Sequence, residues 1–392
     1  MKKIYQNMFI SGLLFLVMGG CFQAMAEDVQ IHGFISQGYL KTDQNNYLAD
    51  TDDGTFQFNE MGINFTTYAT RRLKIGCQFF ARDIGNVGND EIVVNWAFGE
   101  YNFRNWLGLR AGLIKLPFGF YNDTRDYDAL RTAIFLPGSV YNEYLRDGSK
   151  SIKGIELFGS QAMGVLGMLK YQFSTGNTQI PVDSGTAELL QIRFPDLHLT
   201  DIEVGPVYDV HLEWLAPLDG LRLGVSYVKT DFLYNAEDDS ATSSIRYRAS
   251  SSQWYTISAE FIWNNLTLSA ENYVTINDVA VRLYNKGKFI LAYDADTETS
   301  FDDCYYLRLS YRFTDWLETG FYYSEFLEDP DVNKDYNELK DQCLSFRFDI
   351  NPFWLFKLEA HLMNGNSGVK EDNDGHTYNE WMLYAAKMSF MF

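Results

Sequence analysis

The chain has 392 residues, 46% hydrophobic and 16% aromatic, and its 52 acidic against 32 basic side chains leave a formal charge of −20. So many Phe, Tyr and Trp residues exclude a disordered chain, and so acidic a balance excludes nucleic acid as a partner. No stretch after residue 26 approaches the roughly 20 apolar residues that a membrane-spanning helix needs.

Residues 1–26 read as an export signal. Lys2 and Lys3 precede a short apolar core, Met8 to Gly20, and Ala24-Met25-Ala26 supplies a small-x-small cleavage site, with Glu27 as the mature start. Met18-Gly19-Gly20-Cys21 faintly resembles a lipoprotein box, but Met18 stands where Leu is usual and the Ala-x-Ala site is better formed. The protein is expected to leave the cytoplasm and to fold residues 27–392 as one domain. Cys77, Cys304 and Cys343 then remain, an odd and sparse set with no CxxC and no zinc spacing. Cys304 and Cys343 are expected to face inward two strands apart, too far for a disulfide.

From residue 29 onward the repeated unit is a run of about 10 alternating residues ended by a turn, the pattern of a membrane β-barrel strand. Leu221, Leu223, Val225 and Tyr227 share one face, with Arg222, Gly224 and Ser226 on the other. Sixteen such segments fall near 29–41, 56–69, 71–83, 91–103, 105–115, 151–159, 162–174, 204–215, 219–232, 252–263, 265–277, 301–313, 316–327, 341–350, 353–364 and 378–392. Short connections (70–71, 104–105, 160–161, 217–218, 264–265, 314–315, 351–352) alternate with long polar ones (42–55, 84–90, 116–150, 175–203, 233–251, 278–300, 328–340, 365–377). A two-sheet sandwich would also alternate, but it has no reason to sort its connections by length. An all-β, 16-stranded antiparallel transmembrane barrel does, with tight turns on one rim and long loops on the other. Closure also leaves no unpaired edge in lipid. Tyr68, Phe103, Trp106, Tyr171, Trp263, Trp316 and Trp354 gather near strand ends as interfacial girdles do. The last strand sets Met382, Tyr384, Ala386, Met388, Phe390 and Phe392 on one face and ends on an aromatic.

The register puts the mid-strand charges inward: Arg72, Lys74, Arg110, Arg308, Arg312 and Arg347 as pore-wall cations, and Glu60, Glu156, Glu260, Glu271 and Glu359 among the acids. Charges of both signs on that face call for a wet interior. A slip of one residue would put them all into lipid. The third long loop, 116–150, differs from the others by an apolar series (Leu130, Ile134, Phe135, Leu136, Val140) that needs cover. The only cover within reach is the barrel interior, so the loop is expected to fold inward and narrow the pore. Lys115, Arg125, Arg131 and Arg146 would then stand at the constriction, with Asp123, Asp126 and Glu143 holding the loop or facing them.

An exported chain of sixteen alternating strands with an inserted third loop and a terminal Phe resembles the trimeric porins of Gram-negative outer membranes. The segment Lys115 to Asp126 (KLPFGFYNDTRD), followed by Leu136 to Tyr141 (LPGSVY), is similar to the loop of the phosphate-selective porin O/P-like and DcaP-like group. That resemblance implies a homotrimer in the bacterial outer membrane, among lipid and lipopolysaccharide, passing small hydrophilic solutes by diffusion without a cofactor. It also implies entry of anions or small carboxylates through a basic constriction. The loop departs from a purely basic pattern by interleaving acids with its arginines, and the long-loop rim is acidic (Glu237 to Asp239, Asp294 to Asp303, Glu328 to Asp335, Glu371 to Asp374). Asp329-x-Asp331-x-Asn333-x-Asp335 opens like a calcium loop but has Lys334 where Gly is needed and Lys340 where Glu belongs. No metal is therefore expected. An enzyme is not expected either, because His32, His198, His211, His361 and His376 belong to no GxSxG or HExxH motif. A sugar-selective or fatty-acid channel is the remaining rival. A sugar slide is disfavoured, because the aromatics mostly read as lipid-facing.

Overall fold

The computed structural model describes residues 28–240, 242–285, 288–327 and 338–392. The export segment and the Asp329-to-Asp335 run lie outside them. Seventeen strands form one antiparallel sheet: β1 Gln30–Thr42, β2 Phe58–Thr70, β3 Leu73–Ile84, β4 Val93–Arg104, β5 Leu107–Lys115, β6 Ser151–Ala162, β7 Met168–Asn177, β8 His198–Val204, β9 Val207–Leu215, β10 Leu221–Glu237, β11 Ser243–Trp263, β12 Leu266–Asn285, β13 Lys288–Thr314, β14 Leu317–Leu327, β15 Glu338–Asn351, β16 Trp354–Gly365 and β17 Glu380–Met391. β8 and β9 are two pieces of one wall stave, interrupted at Gly205-Pro206, and both pair with β10. Proline has no N–H to give a ladder, which accounts for the break. β17 pairs with β1, so the sheet closes as a 16-stave barrel.

Period two decides which face meets lipid. Ile155 and Leu157 are 52% and 47% exposed, whereas Glu156 between them is fully buried. Ile75 and Phe79, Leu223 and Val225, and Leu307 and Leu309 likewise face out, with Gln78, Ser226 and Arg308 buried among them. In the last strand Tyr384 and Phe390 face out and Lys387 and Ser389 face in. The girdle residues Tyr68, Phe103, Trp106, Trp263 and Trp316 are exposed beside the short turns. Cys77, Cys304 and Cys343 are free thiols.

The structure corrects three of the expected connections between strands. The turn expected at 160–161 lies instead at 163–167, after β6 has run on to Ala162. Gly164 and Gly167 there have φ of 62° and 86°, a left-handed backbone that side chains avoid and that sets where the chain reverses. The long connections expected at 233–251 and 278–300 are mostly strand: β10, β11, β12 and β13 continue well past the 9–11 residues that span a bilayer. Their polar composition hides a second alternation, Ile245, Tyr247 and Ala249 against Arg246 and Arg248, which pairs in register with Val279 and Val281.

Candidate functional site

The loop after β5 leaves the wall at Leu116-Pro117 and crosses the lumen. Its apolar residues pack against the wall on opposite sides. Ile134 and Phe135 join Leu40, Phe58, Met363 and Leu383 on one side, with Phe135 stacked on Phe58 at 5.2 Å. Leu136, Val140 and Tyr141 join Ile152, Val207, Val228 and Tyr306 on the other. Each such side chain contributes about 1.5–3 kcal/mol by leaving water, enough to bring the loop inside. Leu130, expected among them, is exposed. It ends the single helical turn Asp128–Leu130, whose carbonyls face the wall: Arg347 donates to the Ala129 carbonyl (2.6 Å) and Lys357 to that of Asp128 (2.7 Å).

Polar ties finish the crossing. Phe120 N–H donates to Glu271 of β12 (2.8 Å), and Ile134 N–H to Glu359 of β16 (2.6 Å). Tyr121 donates to Glu260 of β11, and Thr132 to Glu318 of β14. Gln78 of β3 and Asn95 of β4 both donate to Asp126. The loop is therefore fastened to strands all round the barrel and spans it as a septum.

The expected constriction residues are brought together, but the arginines among them are paired, with Arg125 and Arg146 buried and Arg131 half-buried. Arg146 reaches Glu60 at 2.6 Å, Asp126 at 2.7 Å and Glu143 at 3.3 Å. Arg125 reaches Glu143 at 2.8 Å and Lys115 reaches Asp126 at 2.5 Å. Arg131 reaches Asp128 at 3.1 Å. Burial alone would raise the Asp126 carboxyl, but Lys115 and Arg146 outweigh it and hold the group well below the carboxylate range. Arg125, Arg146 and Arg82 do the same for Glu143. Asp147 is lowered to about 2 by Arg82 and Lys150 against the opposing effect of its burial.

Asp123 is the exception. It is exposed, forms none of these pairs, and burial of its surroundings pushes its carboxyl up, against Lys115, Arg222 and Arg110. Those last two belong to the barrel wall, on β10 and β5. Arg110 pairs with Glu100 (2.8 Å) and Glu156 (2.7 Å). Arg222 pairs with Glu260 (2.8 Å) and lies 4.2 Å above the Phe120 ring. Arg308 donates to the Tyr121 hydroxyl (2.6 Å), and Arg312 pairs with Glu318 (2.7 Å) and Asp349 (2.8 Å). Arg347 pairs with Asp349 (2.8 Å), while Arg72 and Lys74 stand at the short-turn rim.

Two lysines were missed by the sequence reading as partners of the loop. Lys387 meets Glu60 at 2.5 Å and Asp128 at 3.0 Å, and Lys357 also lies 3.9 Å from Asp128. The register of the last strand could have found Lys387, since it alternates with Met388. Of the histidines, His211 meets Ser226 Oγ (2.9 Å), which also accepts the Gly119 N–H (3.0 Å) and so anchors the loop. His361 is held between Asp341 (3.0 Å) and Glu359 (3.2 Å).

Above the septum, on the long-loop side, lies a chamber of about 1310 Å³. Its walls include Val228, Phe232, Tyr247, Trp254 and Tyr273, and Leu189 and Ile192 of the helix Gly185–Arg193 line it as well. The expectation that aromatics mostly face lipid thus fails on the lumen side of β10 to β12, where the extended strands carry inward-facing rings.

No protein-family model matches the sequence, and none of the curated proteins does. Among solved structures the barrel is similar to an anion-selective porin from Comamonas acidovorans, at 12% identity and a TM-score of 0.57, covering 94% of this chain and 100% of that one. It is similar to the outer membrane channel DcaP of Acinetobacter baumannii, at 11% identity and a TM-score of 0.56, covering 94% and 98%. The trimer form of OmpT, an outer membrane protein of Vibrio cholerae, matches at 8% identity and a TM-score of 0.57, covering 93% and 99%. The chain is a sixteen-stave barrel of the outer-membrane porin fold, with a loop across its lumen.

Proposed function

We propose that the protein is an outer-membrane porin that lets small hydrophilic solutes diffuse past the septum, with a preference for anions or small carboxylates. The passage runs between Asp123 and the arc bearing Arg110 and Arg222. One observation carries the ion preference: Arg131, Lys357 and Lys387 converge on the single carboxylate of Asp128. Buried charges inside the septum act through a low dielectric, whereas salt screens the acidic rim beyond about 8 Å. Residues 1–26 direct export, and the barrel assembles as a homotrimer in a leaflet of lipid and lipopolysaccharide.

The test is the reversal potential across a planar bilayer in a KCl gradient. Anion preference is expected at neutral pH. It should strengthen as the pH falls through the range just above ordinary aspartate values. There Asp123, with its raised pKa, loses its negative charge, while Asp126 and Glu143, with lowered pKa values, stay ionised. Asp123→Asn should show the acid-pH preference already at neutral pH. Cation preference in the wild type would refute the anion reading.

The chamber favours a second reading, a channel specific for solutes with an apolar body. Cavities with mostly apolar walls and a few polar groups are where such molecules bind. Benzoate added on the long-loop side is then expected to interrupt the ion current several-fold longer than acetate, and Trp254→Ala to remove the difference. Equal interruption by the two acids would leave only the general porin.

A further inference from the structure

On the lumen face of β15 and β16, away from the passage, four side chains with metal-ligating or metal-supporting chemistry sit on adjacent strands. β15 presents Asp341 and Cys343, β16 presents Glu359 and His361, and Cys343 is directly opposite His361 in the ladder. Side chains two apart on a strand share a face, so the pattern Asp-x-Cys beside Glu-x-His places all four together. Sequence spacing does not reveal this, because each pair resembles ordinary lumen polarity. A Cys343 sulfur, a Glu359 carboxylate oxygen and a His361 ring nitrogen all lie within 4.8 Å of one another. All three residues are buried.

We propose that Cys343, Glu359 and His361 form a binding site for a divalent transition metal of the zinc class, which ties the septum to the wall. The site has the outer support that such centres need. His361 Nδ1 is 3.0 Å from Asp341, which fixes the ring and leaves Nε2 toward Glu359 at 3.2 Å. Asp341 is itself held by the Tyr322 hydroxyl (2.8 Å). Glu359 is oriented by the Ile134 and Phe135 N–H groups at 2.6 Å and 3.3 Å. Ligand atoms about 2.0–2.3 Å from a tetrahedral ion stand roughly 3.5 Å apart, so small side-chain rotations close the set. His361 and Asp341 line the chamber, which gives an ion its way in.

Charge balances in the exchange. A carboxylate at each ring nitrogen makes both nitrogens of His361 donors in the metal-free site. As the ion enters, the Cys343 thiol proton and the proton between Nε2 and Glu359 leave, two positive charges for two. The thiolate, the carboxylate and the neutral imidazole become ligands, and the fourth position is left for water. Glu359 keeps its bond from the Ile134 N–H through its other oxygen. The ion and the loop tip thus share one carboxylate, and metal binding stiffens the septum.

The test is cobalt titration of the full chain refolded in detergent, read by the sulfur-to-cobalt charge-transfer absorbance in the near ultraviolet. One ion per chain is expected, displaced by Zn²⁺. The band should vanish in Cys343→Ser and persist in Cys304→Ser and Cys77→Ser. Asp341→Asn should weaken cobalt binding about tenfold or more, as loss of an outer partner does. Absence of the band in wild-type protein whose β-sheet circular dichroism is intact would overturn the proposal. So would a band that survives Cys343→Ser, or metal binding of equal strength in all variants, which would point to surface carboxylates.

Discussion

Replacing Arg146 by alanine is expected to raise the single-channel conductance several-fold while leaving the barrel closed. Among the described residues, Arg146 is the one side chain that touches Glu60 on β2 together with Asp126 and Glu143 on the septum. Its removal leaves those buried carboxylates short of a counter-charge, and breaking a buried pair in this way costs about 3–5 kcal/mol. That cost falls on the loop and not on the wall, whose ladders do not involve Arg146, so the septum should swing away first. Conductance in a planar bilayer reads the opening, and thermal unfolding in detergent reads the loss of stability. An unchanged conductance together with a lowered melting temperature would mean that the remaining ties hold the septum alone. The network is also expected to resist acid. Asp126 and Glu143 have folded pKa values below their unfolded ones, so their contribution is fully present above the ordinary carboxylate range. It is lost only as pH falls through the lowered values.

The second large effect is expected from Asp128→Asn. The asparagine keeps the size of the side chain and a hydrogen bond with Ser389, now 2.6 Å from the carboxylate. It removes the one negative charge that, among the described residues, Arg131, Lys357 and Lys387 share. Glu60 still pairs with Lys387, but the field of the three cations is less compensated, and the chloride-to-potassium permeability ratio should rise about threefold or more. The reversal potential measures it, and repeating it at high salt separates near charges from far ones, since only the latter are screened away. A ratio equal to that of the wild type would show that these cations do not reach the passage.

The barrel was legible because its physics is local. Alternation with period two and the sorting of short turns from long loops need only neighbouring residues, and they placed all sixteen staves. The inserted loop was legible for a similar reason, since Ile134, Phe135, Leu136 and Val140 need cover wherever they are. What the pattern missed was of two kinds. Polar alternation above the membrane, as in Arg246-Tyr247-Arg248, looks like a solvated loop until its partner strand is known. The charges of the septum also depend on contacts between distant residues. Lys357 lies 229 residues from the Asp128 carbonyl that it binds, so no spacing rule could match them. Naming Arg125 and Arg146 from the loop was therefore easier than knowing that Glu60 and Glu143 would bury them.

The fastening of the septum has a consequence for how the chain assembles. Its ties join residues of the third long loop to the last strands: Ile134 to Glu359 across 225 residues, and Asp128 to Ser389 across 261. Such contacts form only after most of the chain is in place, and topologies rich in them fold slowly. The loop's bonds to Glu359 and Ser389 need β16 and β17 in place, so it is fully moored only when β17 has joined the sheet beside β1. Closing the seam and seating the loop are then one cooperative step. β16 and β17 recognise the septum as well as their neighbouring strands, and an intermediate lacking them would hold an open edge and an unmoored loop at the same time.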